Sequence, residues 1–307
     1  MSTQNKQESM AIWTPSYEMP ADHANPMTGS IQVSHRDART PEFQKYLQQR
    51  RDIQIIAEGD SWFDLPYDPI FHSLPGGLIH ALENTDAFPY NILNFAERGE
   101  TLDTIAYGTI DDHGRYQPPG MNEVVDAFRH LQPKPKAFLL SAGGNDIAGP
   151  EFKMLLNHKS SGRPALRKTV VDYLIHDYIK NTYLDCAKRV WAVSPTTKVF
   201  LHGYANAWPT GIGYKVGPFT LAGPWLLPSI WEKTYTRVEG KKIVTDLMNE
   251  FALMLKDVAA TDARFFVMDF RSYVGNQVEE WHDEMHLQWD AYLKAATYFA
   301  KLITDNI

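Results

Sequence analysis

Three short stretches of the sequence carry side chains whose types and spacing suit nucleophilic catalysis. The first, Glu58-Gly-Asp-Ser-Trp-Phe63, follows the apolar residues 53–57. A serine hydroxyl becomes an effective nucleophile only when a neighbouring base takes its proton. Ser61 is therefore either the nucleophile of a site at the end of a strand or an ordinary turn residue, because Gly-Asp-Ser is also typical of turns and helix caps.

The second stretch, Leu140-Ser-Ala-Gly-Gly-Asn-Asp146, places paired glycines before an asparagine. Glycines let the backbone approach a ligand closely. The amide of Asn145 offers a neutral N–H donor of the kind that stabilises the oxyanion formed in acyl transfer. The alternative is a Gly-Gly-Asn-Asp turn with no ligand. This stretch gains a chemical meaning only if it lies beside a nucleophile.

The third stretch, Glu280-Trp-His-Asp-Glu-Met-His286, contains an acid and a base three residues apart. At that spacing Asp283 can accept the Nδ1–H of His286 and leave Nε2 free to act as a base. His282 and His286 also have the spacing of zinc ligands on a helix. A zincin helix has Glu directly after its first histidine, where this chain has Asp283. With no third ligand evident, we predict no metal site here.

The pattern of apolar residues predicts the elements that position these stretches. Short apolar runs predict five strands, at residues 52–57, 90–95, 137–141, 198–202 and 264–269. Helical periodicity predicts helices between them, at residues 122–131, 165–193, 242–259 and 289–303. This alternation predicts a three-layer α/β/α sandwich with a central parallel sheet of about five strands. Right-handed crossovers place all strand carboxyl ends at one edge, where ligands bind.

Two segments depart from the alternating pattern. Residues 1–50 are polar and weakly periodic and predict an N-terminal arm or tail, with one domain over residues 51–307. Residues 204–232 form an insertion rich in tryptophan, glycine and proline. Irregular segments of this length are either structured surface insertions or functional loops. The insertion is thus a candidate lid or pocket wall.

Composition narrows the classes of function. The chain has 307 residues, of which 44% are hydrophobic and 22% are charged, as in globular proteins. The net charge of −7 gives no basic excess to bind nucleic acid. No apolar run approaches the length of an integral membrane span, and the first residues do not resemble a secretory signal, so we expect a cytoplasmic protein. The single cysteine, Cys186, excludes an intramolecular disulfide.

Together the three stretches resemble sequence blocks of the SGNH (GDSL-type) hydrolase superfamily. Residues 59–61 resemble its Gly-Asp-Ser block, residues 143–146 its Gly-x-Asn-Asp block and residues 283–286 its Asp-x-x-His block. Gly99, within Asn94-Phe-Ala-Glu-Arg-Gly-Glu-Thr101, is the candidate for a further glycine block, and a simple loop glycine is the alternative. The resemblance extends from about residue 53 to the last residue and implies the family's flavodoxin-like sandwich.

The resemblance implies a serine esterase or lipase that acts on a small-molecule ester through an acyl-enzyme. It assigns a catalytic triad to Ser61, His286 and Asp283. It assigns the oxyanion hole to the backbone N–H groups of Ser61 and Gly99 and the side chain of Asn145. The implied mechanism uses neither a metal nor an organic cofactor.

The substrate is less sharply indicated. Trp62, Phe63, Trp208 and Trp225 are candidate substrate-binding residues, although Trp62 and Phe63 could instead hold a helix on the sheet. The superfamily also includes thioesterases and carbohydrate acetylesterases, so a carbohydrate O-acetylesterase, a thioesterase and acyl transfer to another acceptor stay open. A non-catalytic member that binds a ligand or partner is a further alternative, against which the complete triad argues. No oligomeric state is predicted.

Overall fold

A six-stranded parallel sheet forms the centre of the computed structural model, which describes residues 29–67, 74–86, 88–111 and 113–307. The strands are β1 (Ser30–Gln32), β2 (Ile53–Gly59), β3 (Asn91–Asn94), β4 (Ala137–Ser141), β5 (Lys198–Gly203) and β6 (Phe265–Asp269). Their order across the sheet is β1-β3-β2-β4-β5-β6. The chain therefore moves to one side of β2 with β3 and to the other side with β4, which makes the end of β2 a topological switch point.

Helices flank this sheet. The α-helices are His35–Ala38, Pro41–Gln49, Leu78–Glu83, Leu102–Tyr107, Met121–His130, Gly144–Ile147, Lys168–Val171, Lys180–Val193, Leu227–Glu232, Arg237–Ala259 and Trp289–Thr304, and a π-helical segment, Asp172–Ile179, joins two of them. Short 3₁₀ turns cover Gly149–Leu155, Lys159–Ser161, Phe270–Ser272 and Val278–Glu280. Two hairpins lie outside the sheet, Thr109–Ile110 with Tyr116–Gln117 and Tyr214–Val216 with Phe219–Ala222. The α/β fold class with a central parallel sheet is thus confirmed.

The helix Arg237–Ala259 shows how local sequence produces these elements. Thr236 accepts the backbone N–H of Glu239, and the Glu239 side chain accepts the backbone N–H of Thr236, so a capping box begins the helix. Apolar residues then recur at helical spacing, and those at positions 243, 247, 251 and 255 are all buried. One stripe of the helix is therefore buried in the core and the remaining surface faces solvent.

The first described residues belong to the domain rather than to an arm. β1 pairs with β3, with Ser30 opposite Ile92, and forms an edge of the sheet. The following helix Pro41–Gln49 buries Phe43 and Leu47. This corrects the predicted arm over the range 29–50, while the part of that prediction covering residues 1–28 lies outside the described residues. The sheet has six strands, whereas about five were predicted. β1 was not predicted because Ser30-Ile-Gln32 contains one apolar residue and gives no strand pattern.

The insertion at residues 204–232 combines buried and exposed parts. Its first residues, including Tyr204, and the helix Leu227–Glu232 contribute to the core. Between them the hairpin formed by residues 214–222 exposes the apolar side chains of Phe219 and Leu221. Among the described residues, no helix combines the length and the apolar character that crossing a membrane requires.

Candidate active site

The three chemical stretches of the sequence meet beyond the carboxyl end of β2. The Oγ of Ser61 lies 2.7 Å from Nε2 of His286. The Nδ1 of the same ring lies 3.0 Å and 2.9 Å from the two carboxylate oxygens of Asp283. Because the carboxylate accepts the Nδ1–H, Nε2 is the acceptor for the serine hydroxyl. One hydrogen-bonded relay therefore joins residues separated by more than two hundred positions.

Tight packing and hydrogen bonds fix the turn that presents Ser61. A Cβ on Gly59 would lie 2.4 Å from the carbonyl oxygen of Ser141, so only glycine lets β2 approach β4 this closely. Asp60 is buried and accepts the Ser141 hydroxyl at 2.8 Å, the Trp62 backbone N–H at 2.9 Å and the Tyr204 hydroxyl. These bonds hold Asp60 in place, so the next residue projects from the sheet edge.

The carboxylate of Asp283 is held as an anion in spite of its burial. Its Oδ1 accepts the backbone N–H groups of Met285 at 2.7 Å and His286 at 2.9 Å, and Nδ1 of His282 lies 3.1 Å from Oδ2. Burial alone would raise the pKa of Asp283, but the charge of His286 and these hydrogen bonds hold the pKa well below its usual range. Asp283 can therefore orient His286 without taking up its proton.

Two aromatic side chains of the insertion lie against the imidazole. The ring of Trp225 meets the ring of His286 edge to face at a centroid distance of 5.7 Å. The ring of Tyr214 lies 5.8 Å from His286 and 5.5 Å from His282. The hydroxyl of Tyr214 is buried and has no hydrogen-bond partner among the described residues. The insertion thus forms an aromatic wall beside the imidazole.

Glu284 fastens this wall to the segment that carries the relay. Its side chain is fully buried and accepts the backbone N–H groups of Gly211 at 2.8 Å, Leu226 at 2.6 Å and Leu227 at 3.1 Å. Burial raises the pKa of Glu284, while these backbone donors lower it and leave a net rise. Both ends of the hairpin region are therefore joined to the residue that follows Asp283.

The structure links the two further candidates for the oxyanion hole to each other. Nδ2 of Asn145 donates to the carbonyl of Glu100 at 2.7 Å, and Glu100 directly follows Gly99. Gly99 has a φ of +88°, is exposed, and would meet nothing within 4 Å of an added Cβ. Among the described residues, the backbone N–H groups of Ser61 and Gly99 have no protein acceptor. These donors are thus available to a ligand at the strand ends.

The structure separates the four aromatic residues predicted to bind substrate. Trp62 and Phe63 are 1% and 3% exposed, and Trp62 stacks on His202 and donates from Nε1 to the carbonyl of Met285 at 2.9 Å. Both residues hold the turn on the core, which corrects the expectation that they line a pocket. Trp208 donates to Gly275 at 3.4 Å, far along the insertion from Trp225. Of the four, Trp225 contacts the relay directly.

Sequence reasoning missed Tyr214 and Glu284 as parts of this site. Glu284 lies within the third stretch, between Asp283 and Met285, and nothing in the local sequence indicates that it is buried. His282 and His286 contact the same carboxylate, that of Asp283. The described residues do contain one group of three potential metal ligands, and it includes neither His282 nor His286.

Comparisons with known proteins place these observations beside solved structures. No protein-family model and no curated protein matches the chain. Similar structures include a member of the lipolytic G-D-S-L family from Veillonella parvula, at 15% identity and a TM-score of 0.48 over 82% of this chain and 98% of that one. An extracellular lipase from Streptomyces rimosus is 12% identical, with a TM-score of 0.45 over 83% and 100% of the two chains.

A family 3 carbohydrate esterase from Clostridium thermocellum is also similar, at 13% identity and a TM-score of 0.44 over 82% of this chain and 96% of that one. The names of these proteins are those of lipolytic enzymes and esterases. The sequence blocks of the present chain resemble those of a hydrolase superfamily of the same kind. At this level of identity, the chemistry of the present chain has to be argued from its own residues.

Proposed function

We propose that the protein is a serine hydrolase of the SGNH type that cleaves carboxylic esters through an acyl-enzyme. The observation that carries the proposal is the relay from the Ser61 hydroxyl through His286 to the buried carboxylate of Asp283. A nucleophile, a base and a group that orients the base are the three components that this chemistry requires. Their order in space matches those roles, because each lies within hydrogen-bond distance of the next.

In the first half-reaction Ser61 Oγ attacks the ester carbonyl while its proton passes to Nε2 of His286. The negative charge of Asp283 stabilises the imidazolium that forms. Collapse of the tetrahedral intermediate breaks the bond to the alcohol, which leaves with the proton from His286. In the second half-reaction His286 takes a proton from water, the hydroxide attacks the acyl-enzyme, and the carboxylic acid leaves as Ser61 regains its proton.

The tetrahedral intermediate carries a negative oxygen that requires neutral donors. We assign these donors to the backbone N–H groups of Ser61 and Gly99 and to the second N–H of Asn145, whose first N–H is used by Glu100. Support comes from the two backbone groups, which donate to no other protein group among the described residues. Loss of one such donor typically lowers kcat by about 10²–10³.

The substrate we propose is a small ester whose acyl or alcohol group lies between Tyr214 and Trp225. Both ring centroids are within 6 Å of that of the imidazole, which makes this side of the site largely apolar. The unpartnered hydroxyl of Tyr214 is suited to donate to an oxygen of the bound ester. Aromatic faces also stack on sugar rings, so the same two residues favour an O-acetylated carbohydrate as the second candidate, and a thioester would use the same triad.

The proposal is tested by comparing the wild type with Ser61→Ala and with Ser160→Ala, a matched change of an exposed serine. Hydrolysis of p-nitrophenyl acetate and butyrate is expected to fall by about 10⁴ or more in kcat for Ser61→Ala and to stay unchanged for Ser160→Ala. A fluorophosphonate probe should label the wild type and Ser160→Ala at Ser61. Circular dichroism confirms that each variant is folded.

Labelling separates the esterase from a module that only binds a ligand. A wild-type protein that hydrolyses no ester and takes up no probe would refute the proposal, as would Ser61→Ala protein with full activity. A series of acyl chain lengths beside acetylated oligosaccharides then distinguishes the two substrate classes.

A further inference from the structure

A second cluster of titratable side chains lies beside the strand that ends at the nucleophile, and the proposed mechanism does not use it. Its centre is His35, from the short helix that precedes Pro41–Gln49. Glu58 of β2, Glu97 and Glu100 after β3, and Glu123 of the helix Met121–His130 surround the imidazole. Nε2 of His35 lies 3.4 Å from Glu100 Oε2 and 3.7 Å from Glu58 Oε2. Glu97 accepts the backbone N–H of His35 at 2.8 Å.

The negative charges of this cluster outnumber its positive charges. Four carboxylates face one imidazole and one guanidinium, that of Arg39, which binds Glu123. Glu58 is completely buried, and its Oε2 has no hydrogen-bond partner among the described residues. Buried carboxylate oxygens are normally paired or bound to a metal. A proton on Glu58 Oε2 would not solve the problem, since it would find no acceptor within hydrogen-bond distance.

We propose that this cluster binds one divalent transition-metal cation through Nε2 of His35 and the carboxylates of Glu58, Glu97 and Glu100. His35, Glu97 and Glu100 can each offer a ligand atom within 4.8 Å of the others. Tetrahedral ligands at about 2.1 Å from a zinc-like ion lie about 3.4 Å apart, close to the separations of His35 Nε2 from Glu100 and Glu58. An imidazole with carboxylates suits Zn²⁺ or Mn²⁺ better than the all-oxygen ligand sets of Ca²⁺ and Mg²⁺.

The surroundings of His35 support the use of Nε2 as the ligand atom. The other ring nitrogen, Nδ1, lies 3.6 Å from Oε2 of Glu123. Histidines that bind metals commonly direct their second N–H to a carboxylate, which fixes the tautomer. Arg39 holds Glu123 in turn. Nδ1 of His35 and Oε2 of Glu123 make no hydrogen bond in this structure, and a small approach of the two would complete the outer contact of a metal-bound His35.

An ion can reach the cluster from solvent. A cavity of about 810 Å³ lies between the segment after β1 and the loop after β3, and Glu97 lines it. The side chain of Glu100 is 20% exposed. A bound ion would join the loop that contains Gly99 to β2, three residues before Ser61. Its role would therefore be structural, with no part in the ester chemistry.

The experiment uses full-length protein stripped with a chelator and titrated with Zn²⁺ and with Mn²⁺ in a calorimeter. The variants are His35→Gln, Glu100→Gln and the control His176→Gln, which alters a half-buried histidine 2.9 Å from Glu250, outside the cluster. We expect one ion per chain in the wild type and in His176→Gln, with a rise in melting temperature. We expect affinity to fall at least 10–100-fold in His35→Gln and Glu100→Gln.

Two results would overturn the assignment. One is a stripped wild type that binds neither ion at a one-to-one ratio, which would mean that protons hold the cluster. The other is an unchanged affinity in both variants, which would place the ion elsewhere. If His35→Gln does not fold, the wild-type titration and Glu100→Gln decide the question. None of these readouts depends on ester hydrolysis, so a failed esterase assay leaves this test intact.

Discussion

At the scale of single residues, the proposed mechanism depends on Asp283, whose carboxylate lies 2.9 Å from Nδ1 of His286 and would orient the base. We predict that Asp283→Asn lowers kcat for ester hydrolysis by about 10³–10⁴. An amide at this position would accept or donate differently at Nδ1 and favour the wrong tautomer of His286. Steady-state kinetics on the purified variant measures the effect, with the exposed Asp290→Asn as the matched control. A loss below tenfold would show that the carboxylate has no such role.

His202 gives a second prediction, which concerns the pH dependence of stability. The side chain is 1% exposed beneath Trp62, and burial lowers its pKa from 6.5 to about 3, although the nearby backbone of Gly203 acts in the opposite direction. The unfolded chain therefore binds a proton below pH 6.5 that the folded protein does not bind. The free energy of unfolding must fall as the pH drops from 6.5 towards 3.

Between pH 6.5 and pH 4.5, His202 should lower the free energy of unfolding of the wild type by about 2 kcal/mol. We expect His202→Leu to lack this part of the decrease. Urea unfolding at the two pH values, for wild type and variant, measures this difference. Parallel pH profiles for the two proteins would show that His202 does not contribute to acid sensitivity.

The residues of the relay could be predicted because chemistry restricts their types and local spacing. A serine in a tight turn after a strand and an acid three residues before a histidine are both visible in the chain. Tyr214 and Glu284 were missed because their importance depends on distant contacts, since the backbone donors to Glu284 lie 57 to 73 residues away. Trp62 was misplaced because adjacency to the nucleophile does not reveal which side of the turn faces the core.

At the scale of elements, the insertion depends on Glu284 for its position. We predict that Glu284→Ala makes trypsin cleave the hairpin at Lys215 at least about tenfold faster under native conditions. Three backbone N–H groups lose their acceptor, and each 1.4 kcal/mol lost from local stability raises the open population about tenfold. The matched control is Glu279→Ala, which removes an exposed carboxylate of the same segment.

Mass spectrometry of the fragments identifies the site of cleavage. Equal cleavage rates in Glu284→Ala and Glu279→Ala would contradict a role for Glu284 in holding the insertion. Activity should fall together with protection if Tyr214 and Trp225 form the wall of the substrate site.

Five strands could be predicted because β2 to β6 are buried and their apolar runs are bounded by turn signals. β4 matches its predicted range at Ala137–Ser141, and each of the others differs by one or two residues at one or both ends. β1 could not be predicted, because an edge strand of three residues needs little apolar surface and its partner, Asn91–Asn94, lies 60 residues further along the chain. Its pairing is set by the tertiary fold and not by the local sequence.

The whole molecule brings the site together through its topology. Ser61, Gly99 and Asn145 follow β2, β3 and β4, which are neighbours in the sheet, and parallel pairing places their carboxyl ends at one edge. His286 arrives from the segment between β6 and the last helix, and its bond to Ser61 closes the arrangement. Predicting the parallel sheet was therefore sufficient to predict that these segments converge, but not to predict the aromatic wall opposite them.

If the described segment before β2 is an integral part of the domain, it must contribute to the free energy of unfolding. An arm lying on the domain would not. Leu47 is 1% exposed, and the neighbouring Phe43 meets the ring of Phe95 edge to face at 6.3 Å. We predict that Leu47→Ala lowers the free energy of unfolding by about 2–5 kcal/mol, because it leaves a cavity in the core. The exposed Gln48→Ala should change it by less than about 0.5 kcal/mol.

Urea unfolding followed by tryptophan fluorescence and by circular dichroism measures both variants. Coincident transitions shifted to lower urea in Leu47→Ala would show that the segment unfolds with the sheet. A midpoint equal to that of the wild type would mean that residues up to about 50 lie on the domain without contributing to its core.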